Sequence, residues 1–105
     1  MRGVHVTVTT ADITGEPIEN VAVVGEELDR WLRDVEGFEG FVVLAREGRA
    51  LGLAFWESKE VAERHEVARA ELRERLLRIA NVRVEDVVDY DVVYTRLGPN
   101  LGASA

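Results

Sequence analysis

Cysteine is absent from the 105 residues, which excludes disulfides, thiolate zinc sites, iron–sulfur clusters and cysteine nucleophiles together. Positive charge is scarce: 13 basic residues stand against 20 acidic ones for a net charge of -7. That is the wrong sign for a phosphate backbone or an anionic lipid surface, so nucleic acid is not an expected partner. No apolar run is long enough for a membrane helix. The start, Met1-Arg2-Gly3-Val4-His5, enters a strand pattern with no leader-like segment, and a cytoplasmic location is the expectation. Phosphate-cradling glycine loops, dinucleotide fingerprints and serine elbows are missing as well. The chemistry left is that of hydroxyl, imidazole, carboxylate and aromatic side chains.

What is present is an ordinary globular composition, 47% hydrophobic and 31% charged, of a length suited to one domain over residues 1–96 with a loose tail over 97–105. Val4, Val6 and Val8 alternate with His5, Thr7 and Thr9, the period of a strand. Turn residues from Thr10 to Pro17 predict a loop. Val21 to Val24 resembles a strand in isolation, but Val21, Val24, Leu28, Trp31 or Leu32, and Val35 form a helical stripe, predicting a helix over Asn20 to Asp34. Gly37 suits the left-handed position that closes a helix.

Phe41 to Arg46 and Ala50 to Trp56 flank Glu47-Gly48-Arg49 and predict a hairpin. Ser58 is placed to cap a single long helix reaching about Ala80, with Val61, Ala68, Leu72, Leu76 and Ile79 inward. Its outer face carries Glu60 with Arg64, Glu71 with Arg75 and Glu74 with Arg78, each one turn apart. A last strand spans Glu85 to Tyr94. The order strand, helix, strand, strand, helix, strand is the ferredoxin-like βαββαβ arrangement of an α+β protein with an antiparallel sheet. Two helices cover one sheet face, yet Val42 and Leu44 are apolar as well as Phe41, Val43 and Ala45, so a homodimer paired through the open face is expected.

His65 follows Val61 by four residues and precedes Ala68 by three, which predicts an inward-facing imidazole. Such a group is either a hydrogen-bonded structural histidine or a general base, since imidazole is the side chain that titrates near neutrality. Trp56 ends a strand and is either a core residue or the wall of a cleft between sheet and helix. Tyr90 and Tyr94 share one strand face and are candidates for the same cleft. Asp89 and Asp91, on the other face of that strand, are assigned no catalysis, and His5 has no clustered second ligand, so no metal site is expected.

The run Trp56-Glu57-Ser58-Lys59-Glu60-Val61-Ala62-Glu63-Arg64-His65 resembles the antibiotic biosynthesis monooxygenase family of dimeric α+β barrels, which carry a strand-ending Trp, a capped helix and a later His. Gly37-Phe38-Glu39-Gly40-Phe41 is similar to the family's Pro-Gly-Phe entry to its second strand, with Glu36 in place of the Pro. Asp89 to Tyr94 is similar to its closing strand, so the likeness spans about residues 3–95. It implies a homodimer with one cleft per subunit and a cofactor-independent monooxygenase acting on an aromatic hydroquinone or anthrone. By that resemblance His65 is the catalytic base or hydrogen-bond partner, Trp56 an apolar wall, and Tyr90 or Tyr94 a donor to the substrate oxygen. No cofactor is implied. A haem-degrading branch differs: it has an Asn on the first strand and an iron-binding His further along the second helix, where this chain has His5, Thr7 and Thr9, and Arg75. The alternative on the same fold is a non-catalytic dimeric module that binds an apolar small molecule.

Overall fold

The computed structural model describes residues 4–79 and 82–102. Four strands, β1 (His5–Asp12), β2 (Phe38–Arg46), β3 (Arg49–Trp56) and β4 (Arg83–Asp91), form one sheet in the order β2-β3-β1-β4, every neighbouring pair antiparallel. The helices are α1 (Ile18–Leu32), α2 (Lys59–Arg64) and α3 (Glu66–Ile79), with a last turn α4 (Pro99–Gly102). This is the expected α+β order with its split βαβ crossovers. No helix among the described residues is long and apolar enough to cross a membrane.

Helix α1 forms because the helical stripe outweighs the local valine run: Val21, Val24 and Leu32 are buried on one face. It starts at Ile18, two residues before the expected Asn20, because Pro17 fixes a helix-compatible φ of -63° at the N-cap. Gly37 has the expected left-handed φ, 85°, but lies in the α1–β2 connection beyond the Arg33 C-cap. A side chain there would overlap Val61 Cγ1, so only glycine lets α2 approach this loop. The hairpin closes tightly, with Arg46 paired to Arg49 and Gly48 at φ 79°.

Three expectations are corrected. Strand β1 runs on to Asp12, through residues expected in a loop, because a register shift at Thr10/Ala11 lets pairing with β4 continue. The second helical segment is two helices, since His65 leaves helical geometry at φ -99°, ψ 18°. Its ion pairs also differ: Lys59 meets Glu63, and Glu66 meets both Arg69 and Arg73, while Arg75 lies over the Trp31 ring. Ser58 caps α2 as expected, its Oγ accepting from the Val61 amide at 3.2 Å. The side chains of Leu76 and Ile79, and the expected helix end at Ala80, lie outside the described residues.

Residues facing the helices alternate along each strand. On β1 they are His5, Thr7, Thr9 and Ala11, and on β3 Ala50, Gly52, Ala54 and Trp56. The valines of β1 therefore face the other way. Val42, Leu44, Val88 and Tyr90 join them on an outer sheet face, opposite the helices among the described residues, where Leu44 is 50% exposed. Inside, buried apolar residues separate into two clusters, one around Ile13, Val21, Ala50 and Val82, the other around Leu32, Trp56, Val61 and Ala62.

Asp12 ties the end of β1 to β4. Its carboxylate accepts from Thr14 Oγ1 at 2.6 Å and Thr14 N at 2.8 Å, and meets Arg83 Nη2 at 3.0 Å. The two Thr14 bonds, then the Arg83 charge, hold its pKa below the usual carboxylate value. A lowered folded-state pKa gives stability that is complete above the unfolded value and lost as pH falls through the folded one. Asp12→Asn is thus expected to be less stable than wild type near neutrality, with the gap narrowing below about pH 4. Urea unfolding across that range checks this, and a gap that widens on acidification contradicts it.

Candidate functional site

The cavity between the two apolar clusters exists because the central strands carry small side chains at consecutive inward positions: Thr7, Thr9 and Ala11 on β1, and Ala50, Gly52 and Ala54 on β3. The helices above contribute Val21, Val24, Leu28 and Leu32 from α1 and Leu72 from α3, and these do not reach the floor. The space measures about 130 Å³ and is open to solvent on one side. An engineered apolar cavity of about 150 Å³ holds a benzene molecule. One aromatic ring thus fits inside, with room for fused rings toward the mouth.

Trp56 closes one end of this space and is 1% exposed. Its ring stacks on His65 (centroids 5.8 Å, 26° between planes) and meets Phe38 edge-on at 5.4 Å. Arg69 Cζ lies 5.8 Å from the Trp56 ring centroid, within cation–π range. The indole Nε1 is enclosed and, among the described residues, meets no hydrogen-bond acceptor.

His65 does not enter the cavity. Stationed at the α2–α3 break, it is half-buried behind Trp56, and its Nε2 donates to the Glu36 carbonyl at 3.1 Å. The carbonyl can only accept, which fixes the proton on Nε2. The inward direction expected from helical spacing is altered because the break resets the helical phase at this residue. Tyr90 and Tyr94 are not brought to the cavity either. Tyr90 pairs across from Val6, so its side chain lies on the outer sheet face, 55% exposed, and Tyr94 follows the end of β4 and is 80% exposed. Of the four expected site residues, Trp56 alone lines the cavity.

The charged groups that do line it went unread in the sequence. They are Arg69 and Arg73 of α3. The Arg69 side chain is 11% exposed, and its guanidinium donates to the Ala62 carbonyl (2.9 Å) and Thr7 Oγ1 (3.0 Å) and pairs with Glu66 at 3.0 Å. Thr7 Oγ1 in turn donates to Asp89 Oδ1 at 3.2 Å, and the buried His5 places Nε2 3.3 Å from the same oxygen. Among the described residues Arg73 holds a long contact to Glu66, 3.4 Å. A signal was available: Arg69 lies three residues before Leu72 and Arg73 three before Leu76, beside the stripe read as apolar. Among the described residues no group of three or more His, Asp or Glu side chains is arranged to hold a metal ion.

No protein-family model matches the chain, and no curated protein sequence matches it. Solved structures do. A monooxygenase from the gene ActVA-Orf6 of Streptomyces coelicolor, determined in complex with nanaomycin D, is similar with a TM-score of 0.68 and 24% identity, over 92% of this chain and 93% of that one. A point mutant of SnoaB from Streptomyces nogalater, a cofactor-independent oxygenase, gives 0.67 and 14% over 88% and 95%. The solution structure of a hypothetical Arabidopsis thaliana protein gives 0.58 and 15% over 93% of each chain. The chain therefore has the α+β fold of these two oxygenases.

His65→Ala is expected to remove the Glu36 bond and the stacking on Trp56, destabilising the fold by about 1–3 kcal/mol. Urea unfolding measures it. An unchanged midpoint would contradict the structural role of this histidine.

Proposed function

We propose that this protein is a cofactor-independent monooxygenase acting on an aromatic hydroquinone or anthrone. The observation that carries the reading is an apolar cavity of aromatic dimensions whose charged lining groups are two guanidiniums. The described oxygenases of the same fold support it, one of them in complex with nanaomycin D.

The chemistry asks little covalent work of the protein. An anthrone or hydroquinone that has lost a proton is electron-rich enough to reduce dioxygen itself. For an anthrone, one oxygen atom enters as a carbonyl at the former CH2 carbon and the other leaves as water. The site must bind the ring system, favour the anion and exclude bulk water. Aliphatic walls from α1 and the face of Trp56 serve the first and third needs. Arg69 and Arg73 serve the second, because a cation in a dry site stabilises a developing oxyanion far more than it would in water. In this reading His65 is a positioning residue that holds Trp56, in place of the base that the family resemblance implies.

The proposal includes a homodimer. The outer sheet face, with Val42, Leu44, Val88 and Tyr90 exposed, is a contiguous apolar surface of the kind that soluble chains cover. A second copy pairing sheet to sheet would cover it isologously. Light scattering at micromolar concentration is expected to give twice the 11.7 kDa chain mass, and a monomer would remove this part of the proposal.

Activity is tested by oxygen uptake with anthrones, naphthoquinols and catechols. Gly52 lines the cavity and has no atom within 4 Å of the place a Cβ would occupy. Gly52→Leu is therefore expected to fill the cavity with the fold intact and to lower uptake roughly tenfold or more. Wild-type protein that binds these rings but shows only background uptake would favour the non-catalytic binding module.

A further inference from the structure

Beside the cavity lies a line of polar groups with no assigned role. It starts at Thr7, which lines the cavity, passes to Asp89 on β4 and ends at His5. We propose that Thr7 and Asp89, the latter held by His5, form the path by which a proton leaves a phenolic ligand bound in the cavity. The inference rests on the aromatic-ligand reading above and supplies the base that His65, outside the cavity, does not.

Hydrogen-bonding capacity supports the first step. A threonine hydroxyl has one donor hydrogen and two lone pairs. Thr7 gives its hydrogen to Asp89 Oδ1 at 3.2 Å and accepts from Arg69 Nη2 at 3.0 Å, leaving one lone pair for a ligand hydroxyl. The ligand proton moves to Thr7 Oγ1 as the Thr7 hydrogen moves to Asp89 Oδ1. His5 Nε2, 3.3 Å from the same oxygen, faces an acceptor and therefore carries its own proton toward Asp89, holding that carboxylate in line. The ligand loses one proton, half-exposed Asp89 gains it and releases it to solvent, and Thr7 ends as it began. The phenolate left behind faces Arg69 and Arg73.

The surroundings of His5 fix it as the partner that holds Asp89. Its side chain is 5% exposed, and among the described residues Nδ1 has no hydrogen-bond partner. Two carboxylates flank it, Asp89 at Nε2 and Asp91 with an oxygen 3.9 Å from Nδ1. The charged groups packed nearest are thus Asp89 and Asp91 from β4 and, through Thr7 and Asp89, Arg69 with its partner Glu66 from α3.

The test uses 2-naphthol, whose naphtholate absorbs at longer wavelength than the neutral form and which reports ionisation whether or not the protein turns anything over. With wild type at neutral pH the naphtholate fraction of the bound probe is expected to exceed that of free naphthol by about tenfold or more, one unit of pKa or greater. Thr7→Ser is expected to keep that excess. Thr7→Val should lose most of it while remaining folded and still binding naphthol, at a somewhat lower melting temperature because Arg69 loses a partner. Asp89→Asn, at a half-exposed position, carries the same expectation should Thr7→Val fail to fold. Bound naphthol that stays neutral in wild type, or equal ionisation in Thr7→Val and Asp89→Asn, overturns the path. Ionised naphthol without oxygen uptake from any quinol would sink the oxygenase reading and leave the path standing. Naphthol that does not bind at all overturns both.

Discussion

The size of the side chains on two central strands controls most of this structure. β1 and β3 present Thr7, Thr9, Ala11, Ala50, Gly52 and Ala54 to the helices, and their larger residues to the opposite face. Close packing is the default of a protein interior, and here the helix layer cannot descend far enough to achieve it. The core divides into two apolar clusters with a cavity between them. The same alternation puts valine and tyrosine on the outer face, so the strand period that creates a binding space also creates an apolar surface in need of cover.

Burying Arg69 at the wall of that cavity has a cost in lost hydration, offset only if its donors find partners. They do: the Ala62 carbonyl, Glu66 and Thr7 each take one, and the Trp56 ring lies beneath the guanidinium. This places the cation on a fixed scaffold of α2, α3 and β1 rather than on a loop. A fixed charge needs no reorganisation when an anion forms beside it, the property that makes such groups effective in stabilising oxyanions.

Much of the fold was legible because it depends on periodicity and punctuation. The α1 stripe, the Ser58 cap, the Glu47-Gly48 turn and the strand order all follow from local patterns that tertiary packing did not override. The site was less legible, for two physical reasons. Alternation along β1 separates His5 and Thr7 from Val6 and Val8, but it does not say which set faces the helices. The rule that apolar residues face inward fails where the interior contains a cavity lined with hydroxyls, and Tyr90 was misplaced by the same ambiguity while Asp89 was passed over. Helical phase was the second reason. It is reliable only along an unbroken helix, and the turn at His65 ended it one residue before α3 begins.

The break at His65 is itself tied to the site. Its backbone leaves helical geometry while its Nε2 holds the carbonyl of Glu36, the residue before Gly37. Gly37 is where α2 approaches the α1–β2 connection so closely that a Cβ would overlap Val61. Loop, helix break and Trp56 are therefore one packed unit, with the Gly37 carbonyl also accepting from Glu57 N at 2.8 Å. A straight helix from Ser58 onward would carry Arg69 and Leu72 along a different line. The turn at His65 thus sets where α3 runs over the sheet, and with it the distance between Arg69 and Thr7 on which the electrostatics of the cavity depend.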